Sequence, residues 1–387
     1  MEIKGRRLVL IKEILKAYKY RLYPNTFQKN QLSKTFGCCR FIYNYYLAKR
    51  IELYELEHKS FPKYDCNNHC NQFLKKEFIW LKEVDKFALT NSIYNLDNAY
   101  QNFFKKVKQG DNELGFPKFK SKHNHHYSYT TNYTNNNIRI NYKNNKIKLP
   151  KLKWVDCKLH RQFNGKIKSA TISQVPSGKY YVSVLIEEEI LELPKDNNII
   201  AFDLGIKEFL IDSNNNHINN PKILYRHENQ LAKLQRQLKH KKLGSKNRNK
   251  TRIKVAKLYE KITNIRKDFL NKLSSKIINE NQIIISEDLK IAKMIINNKL
   301  SKAIFDVSWY EFTRQLTYKS KWYGRIYHKI DPWFASSQIC SVCGYKNKKV
   351  KNLSIRQWEC NCGVIHNRDE NASQNILKQG KLELGLI

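Results

Sequence analysis

Four thiols near the C-terminus stand in two close pairs, Cys340 with Cys343 and Cys360 with Cys362, and a glycine follows each pair at once, Gly344 and Gly363. Paired thiolates with a flexible residue behind them form the ligand pattern of a structural zinc site, the backbone folding around the ion as two knuckles. Directly after them Arg368-Asp369-Glu370-Asn371 opens a helix-like run over 372–377, which puts Asp369 near a positive helix end. Two further acids close apolar runs. Asp203 ends Ile199-Ile200-Ala201-Phe202, and Glu287 ends Ile283-Ile284-Ile285-Ser286. Carboxylates are the oxygen ligands that Mg²⁺ prefers, and a pair of such ions about 4 Å apart activates water and steadies the leaving oxygen in phosphodiester hydrolysis. One acid at a strand end usually only caps a neighbouring helix; three at element ends arise far less readily by accident. Asp288 adjoins Glu287, but side chains alternate across a strand, so only one of the two can face such a site. Glu287 is the choice, with Asp288 beginning the next turn.

The elements that must position these residues follow from periodicity. Residues 14–23 alternate loosely and stop at Pro24, as a strand would. Leu32, Phe36, Cys39, Tyr43, Leu47 and Ile51 then recur at helical spacing, and helical patterning resumes over 73–106. A Gly-, Pro- and Lys-rich loop over 110–122 precedes strand-like stretches at 138–142, 146–149, 170–175 and 180–187. This half reads as a small β-barrel or sheet interrupted by a helical insertion. Beyond residue 198 come a strand carrying Asp203, a second over 208–211 turning at Asn214-Asn215-Asn216 into a third, and a long helix with Leu258, Ile262, Ile265, Phe269 and Leu273 on one face. A strand ending at Glu287, a helix bearing Phe305, Trp309, Phe312 and Leu316, a short strand over 325–330, the cysteine cluster and the Asp369 helix complete the chain. That is the order of a ribonuclease H-like α/β domain with right-handed crossovers, in which the three acids converge.

Composition narrows the partner. Among 387 residues, 72 Lys and Arg against 34 Asp and Glu leave a net charge of +38, an excess that calls for a polyanion. The chain is also rich in Asn and Ile, so a compositional bias explains choosing Lys over Arg, but it does not explain the shortage of acids. Twenty-three Tyr, 18 Phe and 6 Trp add faces that suit stacking on unpaired bases, though most must serve the core. No apolar run approaches the ~20 residues of a membrane span, and the run Leu8 to Ile11 is too short for a signal peptide. Nine cysteines, an odd number, fit a reducing interior. The expected location is cytoplasmic, on the nucleic acid.

Two smaller signals have plain readings. Cys66, His69 and Cys70 lack a second pair nearby and read as packing, as do Cys38 and Cys39 on their helix face. The basic run over 239–257, with Lys241, Lys242, Lys246 and Arg248, is either a solvated helix surface or, as favoured here, a contact for a nucleic-acid duplex.

The strings Phe202-Asp203-Leu204-Gly205-Ile206-Lys207, Ser286-Glu287-Asp288-Leu289, Ser336-Ser337-Gln338-Ile339-Cys340-Ser341-Val342-Cys343-Gly344 and Arg368-Asp369-Glu370-Asn371-Ala372 resemble those of the TnpB family, transposon-encoded RNA-guided nucleases related to type V CRISPR effectors. The likeness extends to Tyr20-Arg21-Leu22-Tyr23-Pro24, Arg40-Phe41-Ile42-Tyr43-Asn44, Phe103-Phe104-Lys105-Lys106 and Gly115-Phe116-Pro117-Lys118-Phe119-Lys120, and so covers nearly the whole chain. It implies an α+β multidomain protein. A wedge-type β-barrel (1–35 and 123–195) would carry an inserted helical recognition lobe (36–122), and a RuvC-like nuclease domain (196–333 and 367–387) would carry a zinc-ribbon insertion (334–366). It further implies a monomer holding one guide RNA derived from the transposon end. Target DNA beside a short flanking motif would be cut by Asp203, Glu287 and Asp369 with two Mg²⁺, while Cys340, Cys343, Cys360 and Cys362 hold structural Zn²⁺. Two departures stand out. The second knuckle has a one-residue spacer, Cys360-Asn361-Cys362, where the family usually has two, so His366 is an alternative fourth ligand if it does not simply pack beside Asp369. Asn367 replaces a frequent Asp before the Arg-Asp pair. A guide-dependent repressor with a decayed nuclease, and a guide-free nuclease on the same fold, are the competing readings; the first sits badly with three retained acids, the second with the large basic N-terminal half.

Overall fold

The computed structural model describes residues 11–110, 115–291, 294, 296 and 298–387. They form two compact units, Glu13–Glu189 and principally Ile190–Ile387.

In the first unit, β1 (Ile11–Tyr23) buries Ile14, Tyr18, Tyr20 and Leu22 by alternation. Pro24 cannot continue the ladder. Asn25 then starts α1 (Thr26–Glu57) with a capping box, its side chain accepting from the Gln28 amide at 2.9 Å while the Gln28 side chain accepts from the Asn25 amide at 3.0 Å. The expected stripe from Leu32 to Leu47 is buried. The helical patterning expected over 73–106 begins earlier and comes in pieces: after α2 (Lys63–His69) follow a π-helical turn Cys70–Leu74, α3 (Lys75–Glu77), a 3₁₀ turn Ile79–Glu83 and α4 (Lys86–Lys108). Asp85 starts α4 afresh by accepting from the Phe87 amide at 3.2 Å, a local bond that favours a new helix start over continuation.

Strands β2 (Tyr127–Asn132), β3 (Arg139–Asn141), β4 (Lys146–Leu149), β5 (Lys153–Lys158), β6 (Lys166–Gln174) and β7 (Tyr180–Leu191) join β1 in one sheet of order β2-β6-β7-β1-β5-β4-β3. Two of these, β2 and β5, escaped the sequence reading: β2 is almost wholly polar, and β5 (Lys-Trp-Val-Asp-Cys-Lys) buries only Val155 and Cys157. The sheet core, with Tyr20, Ile172, Val182 and Val184, also takes in Leu32, Phe36 and Ala88 from the helices, while Ile42, Tyr46, Leu81 and Leu96 form a second, helical core.

The second unit is built on β8 (Ile199–Leu204), β9 (Glu208–Asp212), β10 (His217–Asn219), β11 (Ile283–Glu287) and β12 (Ile326–Ile330), in the order β10-β9-β8-β11-β12. Strand β11 runs parallel to both β8 and β12, while β9 and β10 are antiparallel. Helices α5 (Ile223–Lys239), α6 (Lys246–Glu280), α7 (Asn298–Val307), α8 (Trp309–Tyr323) and α9 (Arg368–Glu383) complete it. Ile200, Phe202, Leu204 and Ile284 pack with Leu270 and Leu273 of α6 and with Phe312 and Leu316 of α8 on one face. Ala201, Ile283, Ile285 and Ile330 pack with Ile376 of α9 on the other.

Two expectations need correction. Phe305 does not share a helix with Trp309, Phe312 and Leu316, because Ser308 adopts a left-handed conformation (φ 57°) between α7 and α8 and leaves Phe305 exposed. Ile265 is exposed although Leu258, Ile262 and Leu273 are buried. The N-terminal half of α6 packs on α5 through Val255, Leu258 and Ile262, and its C-terminal half packs on the sheet, so Ile265 falls where the buried stripe changes partner.

Candidate active site and metal centre

Strand alternation decides where the acids point. On β8, Ala201 belongs to the face covered by α9, so Asp203, two residues on, shares it; on β11, Ile283 and Ile285 place Glu287 on that face too. The strands are parallel neighbours in register, Ser286 opposite Phe202, so both carboxylates leave the same end of the sheet. Asp369 lies in the first turn of α9, on the helical stripe that continues through Ala372, Ile376 and Gly380 onto the sheet. Gly380 makes that contact close: a β-carbon there would come within 2.4 Å of Ile285 Cγ2.

The electrostatics reports the convergence. Burial, followed by the charges of Glu287 and Asp369, lifts the Asp203 carboxyl to about 8. Burial also raises Glu287, against the opposing Ser336 hydroxyl, which donates to Glu287 Oε1. Asp288 behaves oppositely: Lys290 at 2.6 Å and Lys329 at 3.1 Å hold it low, outside the cluster. Arg356 Nη1 lies 3.1 Å from Asp369 Oδ2. Partly buried carboxylates that repel one another, one of them beside a guanidinium, are a donor set suited to a hard divalent cation; among the described residues their oxygens do not gather as closely as the four thiols do.

The four thiols also come together, every Sγ within 4.8 Å of the others. Cys340 and Cys362 are 3.8 Å apart, and Cys343 and Cys360 are 3.5 Å apart. Four sulfurs each about 2.3 Å from a tetrahedral zinc would lie about 3.8 Å from one another, so the set fits that ion even with the one-residue spacer. Both glycines take the left-handed backbone a knuckle needs, with φ of 78° at Gly344 and 83° at Gly363. Burial opposes ionisation of Cys340, but the Cys343 amide and the His366 ring outweigh it and bring its thiol down to about 6. His366 packs on Trp358, with ring centres 4.7 Å apart, and places Nε2 3.0 Å from Cys340 Sγ.

Sequence reasoning missed the ties between the thiol module and α9. Asn371 donates to the Ile339 carbonyl (2.7 Å) and accepts from the Ser341 amide (2.9 Å), while Asn375 donates to the carbonyls of Ser336 (2.8 Å) and Ile339 (2.6 Å). Two buried Asn four residues apart inside a helix, where Asn is a poor former, were the available signal. Asn367 caps α9, its side chain accepting from the Asp369 amide at 3.1 Å, and Asn serves there as well as Asp. Arg356 and Ser336 were missed too, for want of any local pattern.

The minor signals resolve simply. His69 lies between Tyr46 and Lys49, each at 3.1 Å, with Cys66 and Cys70 buried beside it, and among the described residues these three form no metal group. Within the basic run, Arg248 donates to the Leu238 and Lys241 carbonyls and Lys241 donates to Thr251 at 2.6 Å, so both tie the turn between α5 and α6 together. Lys242 and Lys246 are exposed.

Residues 181–298 match a family model described as "Probable transposase" (OrfB_IS605), and residues 309–376 match the Cas12f1-like TNB domain. The chain is 35% identical over 375 residues to a candidate RNA-guided DNA endonuclease of Streptomyces pristinaespiralis, covering 96% of this chain and 90% of that one. The chain belongs to the TnpB family. A second relative, the candidate RNA-guided DNA endonuclease InsQ of Escherichia coli (strain K12), is 30% identical over 385 residues, covering 95% of this chain and 92% of its own. The fold is shared with Cas12f1 as solved in a Cas12f1-sgRNA-target DNA complex, with a TM-score of 0.54, 14% identity, and coverage of 94% of this chain and 98% of that one. A helix-turn-helix model matches residues 14–59, yet that segment of this family member is strand β1 followed by the unbroken helix α1. Among the described residues no helix is long and apolar enough to cross a membrane.

Proposed function

We propose that this TnpB family member is an RNA-guided DNA endonuclease that cuts with Asp203, Glu287 and Asp369. The observation that carries the reading is that two strand ends and one helix start bring three carboxylates to one place, where burial, followed by the charges of Glu287 and Asp369, lifts Asp203 to about 8. Two Mg²⁺ held there would supply an activated water and charge stabilisation for the leaving oxygen. The chain's own residues prepare that place. Ser336 fixes the Glu287 carboxylate, Asn367 fixes the start of α9, and Arg356 balances Asp369. In this reading the β10-β9-β8-β11-β12 sheet and α9 are the RuvC-like domain over 196–333 and 367–387, and the thiol module over 334–366 is its zinc ribbon. The first sheet is the wedge-type barrel expected over 1–35 and 123–195, and the helices are the recognition lobe expected over 36–122; residues 1–10 and 111–114 of those spans lie outside the described residues.

The relatives' names support a guide RNA and target DNA as partners, and the net charge of +38 supplies the electrostatics for both. The protein works in the cytoplasm as a monomer with one RNA. The test is to sequence the RNA that copurifies with the full chain, then supply DNA matched to its variable end. A discrete structured RNA and matched, Mg²⁺-dependent cutting are expected. Matched binding without cutting would favour a guided repressor, and cutting without RNA would favour a guide-free nuclease.

A further inference from the structure

Between β12 and the thiol module the chain makes a short excursion that begins and ends at one carboxylate. Ile330, the last residue of β12, pairs in register with Glu287, and six residues later the Ser336 hydroxyl returns to Glu287 Oε1. The excursion is fixed. The Trp333 amide donates to Asp331 Oδ1 at 2.6 Å, the Phe334 amide donates to the Asp331 carbonyl at 3.1 Å, and Phe334 packs into the core under α9. At its tip Trp333 is 83% exposed. Three residues of extended chain reach about 10 Å, so the Trp333 backbone stands within that range of Ile330, the strand partner of Glu287. The ring faces water on a loop whose two ends both meet Glu287.

We infer that Trp333 is a stacking platform for an unpaired nucleobase of the strand being cut, a few nucleotides from the scissile phosphate. An indole face takes any base, because every base presents a π-face to stack on. The platform therefore fixes the strand's position without reading its sequence. This inference rests on the nuclease reading for the identity of the strand, but its test does not need cutting.

The experiment uses the full chain carrying Asp203→Ala and a single-stranded DNA oligonucleotide labelled with 2-aminopurine, whose emission falls when it stacks on an indole. Trp333→Ala should abolish the quenching and weaken binding about 5- to 150-fold, the range expected when one base stack is removed, while Trp333→Phe keeps most of the affinity. An unchanged melting temperature in both variants shows that the exposed position is not needed for folding. Equal quenching and affinity in Trp333→Ala would overturn the platform, as would a Trp333→Phe loss as deep as that of alanine. Concentration-dependent self-association that disappears in Trp333→Ala, with oligonucleotide affinity intact, would assign the ring to an interface between copies and overturn it too. With Asp203 restored, a chain that stacks DNA on Trp333 but never cuts would remove the nuclease reading and leave the platform standing.

Discussion

At the scale of single residues, the choice between Glu287 and Asp288 shows how much a strand's two-residue period can settle. Alternation from Ile283 and Ile285 sends Glu287 to the α9 face, and Asp288 is taken by Lys290 and Lys329. The acids, the thiols and both knuckle glycines were legible because each sits in a local pattern. Ser336, Arg356 and Asn375 were not, because what they touch is distant in the chain: Ser336 reaches a carboxylate 49 residues away, and Arg356 reaches one 13 residues away across the thiol module. The raised Asp203 carboxyl gives a pH prediction for the metal-free protein. Its folded value of about 8 lies above its ordinary 3.8, so the folded state holds an extra proton between the two. Stability is therefore greatest at the acid end of that window and falls as pH rises through about 8. Asp203→Asn should match the wild type near pH 4 and exceed it in melting temperature at pH 8, and Mg²⁺ should narrow that gap by favouring the charged wild-type site. A gap of the same size at both pH values would mean that the carboxylate is not under this strain.

At the scale of elements, α9 is the part on which the site depends. Its Asp369 is placed by a helix that lies close on β11 because Gly380 has no side chain. Ile285 is fully buried and branched, so it has little room to yield. Gly380→Ala should therefore cost about 1–3 kcal/mol as an overpacked contact and should depress cleavage further by shifting Asp369. Denaturant unfolding and a cleavage assay on the same protein check it, and unchanged values in both would show that the helix has room to spare there. The thiol module is tied to the same helix through Asn371 and Asn375. It should hold about one zinc per chain, and chelation should lower cleavage by loosening the start of α9. Elemental analysis of Cys360→Ser and His366→Ala distinguishes the fourth ligand. The geometry favours zinc loss with the cysteine change, whereas loss only with the histidine change would assign His366. The elements read least well from sequence were β2 and β5, too polar to stand out, and the helices after α1, where Asp85 restarts a helix that apolar spacing alone would have run on.

For the whole molecule, the charge of +38 is what the proposed nucleic-acid binding would draw on. Replacing Lys242, Lys246, Lys250 and Lys254 with Gln should weaken nucleic-acid binding and flatten its salt dependence, by about 0.9 in the logarithmic slope for each duplex phosphate left without its cation. Lys241 and Arg248 are left alone because they hold the α5–α6 turn. An unchanged slope would return this run to a solvated surface. The organisation into two sheet-based units was legible as a sequence of strands and helices, but the sharing of the first core between sheet and helices was not, since Leu32, Phe36 and Ala88 carry no mark of the strands they meet. The central claim is that three carboxylates make one cutting site. Its most direct measurement compares guided DNA binding and cleavage in Asp203→Ala, Glu287→Ala, Asp369→Ala and Asp288→Ala, each with its copurified RNA. The account predicts that the first three bind matched DNA as the wild type does yet leave it uncut, because each removes a metal ligand, while Asp288→Ala still cuts. Near-normal cutting by any of the first three, or loss of cutting by Asp288→Ala with Glu287→Ala active, would contradict it.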